Sequence, residues 1–134
     1  MNDLAFYLTR SSGVVALVLV VAALVWGFLF SSRATGKRLR PNWWLDLHNW
    51  LGGLALVFTV LHIGLSLLDS KSDISLVRAL VPGANGDQRG AITWGVISTY
   101  ALVAVVFTSW PKRMTNRRWW RIIHLVSVPA TALA

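Results

Sequence analysis

Residues 43–68 read WWLDLHNWLGGLALVFTVLHIGLSLL, a stretch long and apolar enough to cross a lipid bilayer as one helix. It carries two histidines, His48 and His62. Their separation is within roughly 40° of four whole helical turns, so both imidazoles lie on nearly the same side of the helix. The helical rise places them about 21 Å apart along the axis. Because a histidine inside a membrane is costly, both predict a functional role.

The composition of the whole chain is that of a polytopic membrane protein. Of its 134 residues, 55% are hydrophobic and only 13% are charged. Apolar runs predict four helices, at about residues 4–30, 43–68, 91–110 and 119–134. We therefore expect an all-α transmembrane helix bundle that forms a single domain over residues 1–134. The last run spans about 24 Å as a helix, less than the roughly 30 Å hydrocarbon core, so we expect a fragment truncated at its C-terminus.

Two segments of the predicted bundle lack histidine. The third span, 91–110, is uncharged and is expected to form a supporting wall. Before it, ISLVRALVP at residues 74–82 predicts a short amphipathic segment that lies in the membrane interface.

The absence of cysteine restricts the cofactor chemistry. It excludes disulfides, iron–sulfur clusters bound by thiolates and haem attached covalently through a C-x-x-C-H motif. Any metal or cofactor must therefore be held by histidine or by oxygen ligands.

The net charge of +8 comes from basic residues in short loops between the apolar runs. The first and third loops carry Arg33, Lys37, Arg38, Arg40, Lys112, Arg113, Arg117, Arg118 and Arg121, whereas residues 69–90 hold equal numbers of acids and bases. By the positive-inside rule the first and third loops are cytoplasmic. We expect a multi-pass protein of the cell's inner (plasma) membrane, surrounded by lipid, with its N-terminus outside. Because the charge distribution is explained by topology, we expect no nucleic-acid partner.

A third histidine matches the first in depth. His124 lies five residues after Trp119, as His48 lies five residues after Trp43. Both helices start at the inner face and run outward, so the two imidazoles are expected at the same level. Matched depth on parallel helices predicts a site with two histidine ligands.

Haem b accounts for most of these features. Its iron takes two axial imidazoles, its porphyrin needs a flat apolar slot, and its propionates need basic partners at the membrane edge. His48 and His124 would ligate the iron, Gly52 would let a flat group approach the backbone, and Arg121 or the inner-loop arginines would meet the propionates. One site would be complete within this chain.

A second, outer site is expected to be only half built. His62 would supply one ligand, and Arg10 could pair with an anionic group of the cofactor near the outer face. Its partner histidine is expected about four helical turns beyond His124, past the last residue of the sequence.

Three other interpretations compete with haem. The histidines could only hydrogen-bond neighbouring helices, each contributing about 1 kcal/mol, in a non-enzymatic membrane subunit. Zinc or copper would need three or four ligands, and no His/Cys/carboxylate cluster is evident. A proton relay would need an acid beside a histidine in mid-membrane, and the sequence offers none.

Four segments together resemble the ferric reductase-like transmembrane domain family, especially its small bacterial members. They read RSSGVVALVLVV, LDLHNWLGGLALVFTVLHIGLSLLD, VPGANGDQRGA and WWRIIHLVSVP. In that family two histidines on one helix and two on another bind two haem b groups and move electrons across the membrane. The resemblance maps His48 and His62 onto the first pair and His124 onto the first member of the second pair. It implies an oxidoreductase or the electron-transfer membrane component of one.

The resemblance also implies an electron donor. Family members take electrons from a flavin- and nicotinamide-binding domain, fused or separate, and pass them to ferric iron, oxygen or another acceptor. This sequence has no G-x-G-x-x-G fingerprint. We therefore expect flavin and NAD(P)H to act through a partner protein or through missing sequence.

Overall fold

The computed structural model describes residues 2–32, 42–69, 74–84, 89–109 and 117–132. The regular structure in these ranges is entirely helical, which confirms the all-α class. The helices are α1 (Asn2–Ser31), α2 (Asn42–Leu68), α3 (Leu76–Leu80), α4 (Arg89–Ser109) and α5 (Arg117–Ala132). Residues 33–41 and 110–116, which carry most of the basic residues that predict the topology, lie outside the described ranges.

Three of the helices are long and apolar enough to cross a membrane. The candidate spans are Leu4–Ser31, Trp43–Leu68 and Gly90–Ser109. α5 has 16 residues and contains Pro129, and it is not among these spans. The four long helices begin and end within about two residues of the predicted bounds, and α3 lies within residues 74–82, where a short amphipathic segment is predicted.

α1 and α2 form the most extensive helix pair of the bundle and run antiparallel. Near the end of α1, Ala23 lies against His48 of α2, and near its start, Thr9 lies against His62. The interval between the two contacting positions is the same on both helices and equals two heptads. A repeat of two heptads keeps one face of each helix turned toward its partner over the whole length.

Small side chains occupy the middle of this interface. Ala16 and Ala55, each midway between the two contacts on its own helix, are both buried. Small residues let two backbones approach closely, which is the usual basis of helix association in membranes. Close approach is what brings the histidines of α2 within reach of α1 carbonyl groups.

The remaining helices add a second layer. α4 packs against α2, and α5 packs against α4. α3 is tied to α4 because the Tyr100 hydroxyl donates to the Leu80 carbonyl at 2.6 Å. The turn after α3 contains Gly83 with φ of +85°, and its N–H donates to Thr93 Oγ1 at 3.0 Å. The segment at residues 74–84 is thus fixed against α4 at two points.

Candidate cofactor-binding site

His48 is oriented by the backbone of α1. Its Nδ1 lies 3.0 Å from the carbonyl oxygen of Ala23. Because a carbonyl oxygen can only accept, Nδ1 carries the ring proton. Nε2 of the same ring then carries no proton and keeps its lone pair for a ligand.

His124 of α5 lies beside His48. Its ring centroid lies 5.8 Å from that of His48, with 59° between the ring planes. Trp120, one turn earlier on α5, stacks its ring on His124 at 4.9 Å between centroids. The Trp120 indole N–H donates to Ser109 Oγ of α4 at 3.3 Å. The structure thus brings together the two histidines that the sequence predicts as a pair.

The distance between the two rings suits coordination of one metal ion. Imidazole nitrogens bind metals at about 2.0 Å, so two imidazoles on opposite sides of one ion have ring centroids roughly 6 Å apart. The observed separation of 5.8 Å agrees with this value. Among the described residues, no three His, Cys, Asp or Glu side chains form a metal-binding group. A pair of imidazoles fits an iron whose other ligands come from a macrocycle.

A cavity of about 510 Å³ adjoins the two histidines. Its walls come from α2, α4 and α5 and are mostly apolar. They are formed by His48, Asn49, Trp50, Gly52, Gly53, Leu54, Val57, Val105, Val106, Ser109 and His124. A Cβ atom added at Gly52 or Gly53 would meet no other atom within 4 Å, so both glycines border open space. A flat apolar group therefore has room against the α2 backbone directly after His48.

His62 is held in the same way as His48. Its Nδ1 lies 2.8 Å from the Thr9 carbonyl oxygen, so Nε2 again remains for a ligand. Beside it is a second cavity of about 310 Å³ between α1, α2 and α4. Its lining comprises Gly13, Ala16, Leu17, Val20, Thr59, His62, Gly95, Ser98, Thr99 and Leu102. The described part of α5 contributes none of these residues, so His62 is the one histidine among the described residues of this second cavity.

The two arginines predicted as propionate partners, Arg121 and Arg10, are both exposed and line neither cavity. The guanidinium carbon of Arg10 lies 4.4 Å from the centre of the Phe6 ring, a cation–π contact on α1. Their contact with a cofactor stays a prediction.

The sequence analysis did not identify Gly13 and Gly27 of α1 as contacts of the histidine rings. A Cβ atom at Gly13 would lie 2.9 Å from His62 Cε1, and one at Gly27 would lie 3.0 Å from His48 Cε1. The available signal was the interval from Gly13 to Gly27, which equals the interval from His48 to His62 on α2.

The sequence from residue 12 to residue 134 matches the family described as ferric reductase like transmembrane component. The chain belongs to the ferric reductase-like transmembrane family. The matched range contains all three histidines and every residue that lines the two cavities. No curated protein and no solved structure matched the chain significantly. Family membership and the three candidate membrane spans together show that the chain is a ferric reductase-like membrane protein.

Proposed function

We propose that this protein transfers electrons across its membrane through haem b held by His48 and His124. The observation that carries the proposal is the pair of imidazole rings 5.8 Å apart beside an apolar cavity of about 510 Å³. Haem iron, once bound, would gain and lose single electrons. Membership of the ferric reductase-like family supports electron transfer as the role of the bundle.

The protein residues would bind and orient the cofactor. His48, with its proton fixed on Nδ1, and His124, stacked on Trp120, would hold the haem iron. The bare backbone at Gly52 and Gly53 would accept the flat face of the macrocycle. The apolar walls would exclude water, which lowers the local dielectric and so affects the reduction potential.

The outer cavity would form part of a second haem site. His62 would be its ligand from α2, about 21 Å along the helix from His48. Arg121 and Arg10 would pair with propionates at the inner and outer faces respectively. The N-terminus would lie outside the plasma membrane. Electrons would come from a flavin-dependent partner protein that oxidises NAD(P)H. The chain would act as an oxidoreductase or as the electron-transfer component of one.

One observation favours a second candidate, a non-enzymatic subunit with structural histidines. His48 and His62 both hydrogen-bond carbonyl groups of a neighbouring helix, as purely structural histidines would. This candidate accounts for neither the open cavity nor the position of His124 beside it.

Spectroscopy of the purified protein distinguishes the two candidates. Protein from haem-replete cells should show a b-type visible spectrum that changes on reduction with dithionite. In liposomes with ferricyanide trapped inside, external dithionite should reduce the trapped oxidant, whereas liposomes with the His48→Ala variant should not support this reduction above the rate of empty liposomes. A colourless protein would contradict the proposal and support the structural candidate.

A further inference from the structure

We propose that Gly13 and Gly27 of α1 are positioning residues for the histidines of α2. Each glycine leaves room for one imidazole ring against α1, so that the ring can donate its Nδ1 proton to a carbonyl group four residues earlier. We call each such glycine and carbonyl a histidine slot. Gly27 serves His48 and Gly13 serves His62. The consequence for haem rests on the proposed function, whereas the effect on the ring proton does not.

The outer slot has the tighter contact. A Cβ at Gly13 would lie 2.9 Å from both Cε1 and Nδ1 of His62. The same Nδ1 is 2.8 Å from the Thr9 carbonyl oxygen, which also accepts a hydrogen bond from Ser12 Oγ at 2.9 Å. The ring therefore lies directly over the helical turn between Thr9 and Gly13.

The inner slot repeats this arrangement. A Cβ at Gly27 would lie 3.0 Å from Cε1 and 3.3 Å from Nδ1 of His48. That Nδ1 is 3.0 Å from the carbonyl oxygen of Ala23, four residues before the glycine. The two glycines, the two carbonyl groups and the two histidines are each separated by the same interval of two heptads. One packing geometry is thus used twice along the antiparallel pair.

A methyl group in either slot would force the ring away from α1. Non-bonded carbon atoms pack at about 3.5 Å or more, so contacts of 2.9 and 3.0 Å require a displacement of roughly 0.5 Å. Movement of the ring away from the carbonyl by this amount lengthens a hydrogen bond of 2.8 or 3.0 Å to about 3.3–3.5 Å, beyond the usual N–H···O range. Without that acceptor, the proton is no longer fixed on Nδ1.

The hydrogen bond also tunes the nitrogen that would bind iron. Donation from Nδ1 to a carbonyl fixes the tautomer and raises the basicity of the ligand, and loss of such a contact typically weakens metal binding by about 10- to 100-fold. A less basic imidazole stabilises ferric iron less, so the reduction potential should rise. The slots would therefore set both the direction and the donor strength of Nε2.

The test uses Gly13→Ala and Gly27→Ala in the full chain, with Gly64→Ala as the matched control. A Cβ at Gly64 meets no atom within 4 Å, and this residue lines neither cavity. In haem-free protein labelled with ¹⁵N-histidine, long-range ¹H–¹⁵N spectra should show Nδ1–H tautomers for His48 and His62. Gly13→Ala should remove this signature from His62 alone, Gly27→Ala from His48 alone, and Gly64→Ala from neither.

In haem-loaded protein, Gly27→Ala should bind haem about 10- to 100-fold more weakly and show a raised midpoint potential. Nε2–H tautomers in the unmodified protein would overturn the slot proposal, even where an alanine variant fails to insert. Wild-type haem affinity and potential in Gly27→Ala would overturn it as well. A colourless wild-type protein with the expected tautomers would instead refute the proposed function and leave the slots supported.

Discussion

A side chain introduced at Gly53, in the cavity beside His48 and His124, should raise the stability of the haem-free protein and lower its affinity for haem. Gly53 borders the cavity of about 510 Å³, and a side chain there meets no other atom within 4 Å at Cβ. Gly53→Leu would therefore place four carbon atoms in or beside the space proposed for the macrocycle, with its Cβ free of contact with α1.

The expected magnitudes follow from core packing. Removing a leucine side chain from a packed interior costs about 2–5 kcal/mol, so adding one to an existing void should stabilise the haem-free bundle by up to about 2 kcal/mol. In the loaded protein the same side chain overpacks the site, which costs about 1–3 kcal/mol. Because affinity depends on the difference between the two states, binding should weaken by about 1–5 kcal/mol, so haem affinity should fall by about 5- to 5,000-fold.

The assay combines thermal unfolding of haem-free protein in detergent with haem titration followed by visible absorption. Gly64→Leu is the control, because residue 64 is exposed and lines neither cavity. It should leave haem affinity unchanged. If Gly53→Leu bound haem as tightly as the wild type, the cavity would not be the haem site and the reasoning would be wrong.

Two further contacts give independent predictions. Trp120→Leu removes the ring that stacks on His124 at 4.9 Å, and since such pairs contribute about 0.5–1.5 kcal/mol, haem affinity should fall about 2- to 10-fold. Trp120→Phe keeps a ring there and loses only the bond to Ser109, so a haem titration that gives equal losses for both variants would contradict a stacking role. Tyr100→Phe removes the 2.6 Å hydrogen bond to the Leu80 carbonyl, worth about 1 kcal/mol, and amide exchange in α3 should rise about fivefold. Unchanged exchange with Tyr100→Phe would show that the other contacts of α3 are sufficient to hold it.

Much of the fold could be predicted from hydropathy alone. The long helices are continuous apolar runs whose ends are marked by polar or basic residues, so their boundaries were predictable to about two residues. The pairing of His48 with His124 followed from their equal distance from the tryptophans at the helix starts. The helix boundaries and the distance of each histidine from its helix start can each be read within one helix. They therefore need no knowledge of how the helices pack together.

The contacts between helices were less accessible. The regular spacing of the α1 glycines is visible in the sequence, but the pairing of α1 with α2 depends on which faces meet, and the lipid-facing side of α1 is as apolar as its packed side. Similarly, the lining of the outer cavity by Ser98 and Thr99 depends on how α4 is rotated against α2. Hydropathy does not specify rotation when every face is apolar.

The central claim is that His48 and His124 hold the same haem. Haem content per chain, measured for His48→Ala, His124→Ala and the double variant, tests it most directly. Since both rings would bind one iron, each single variant should lose the inner haem and the double variant should lose no more than either alone. Retention of wild-type haem content by either single variant, or separate and additive losses, would contradict the account.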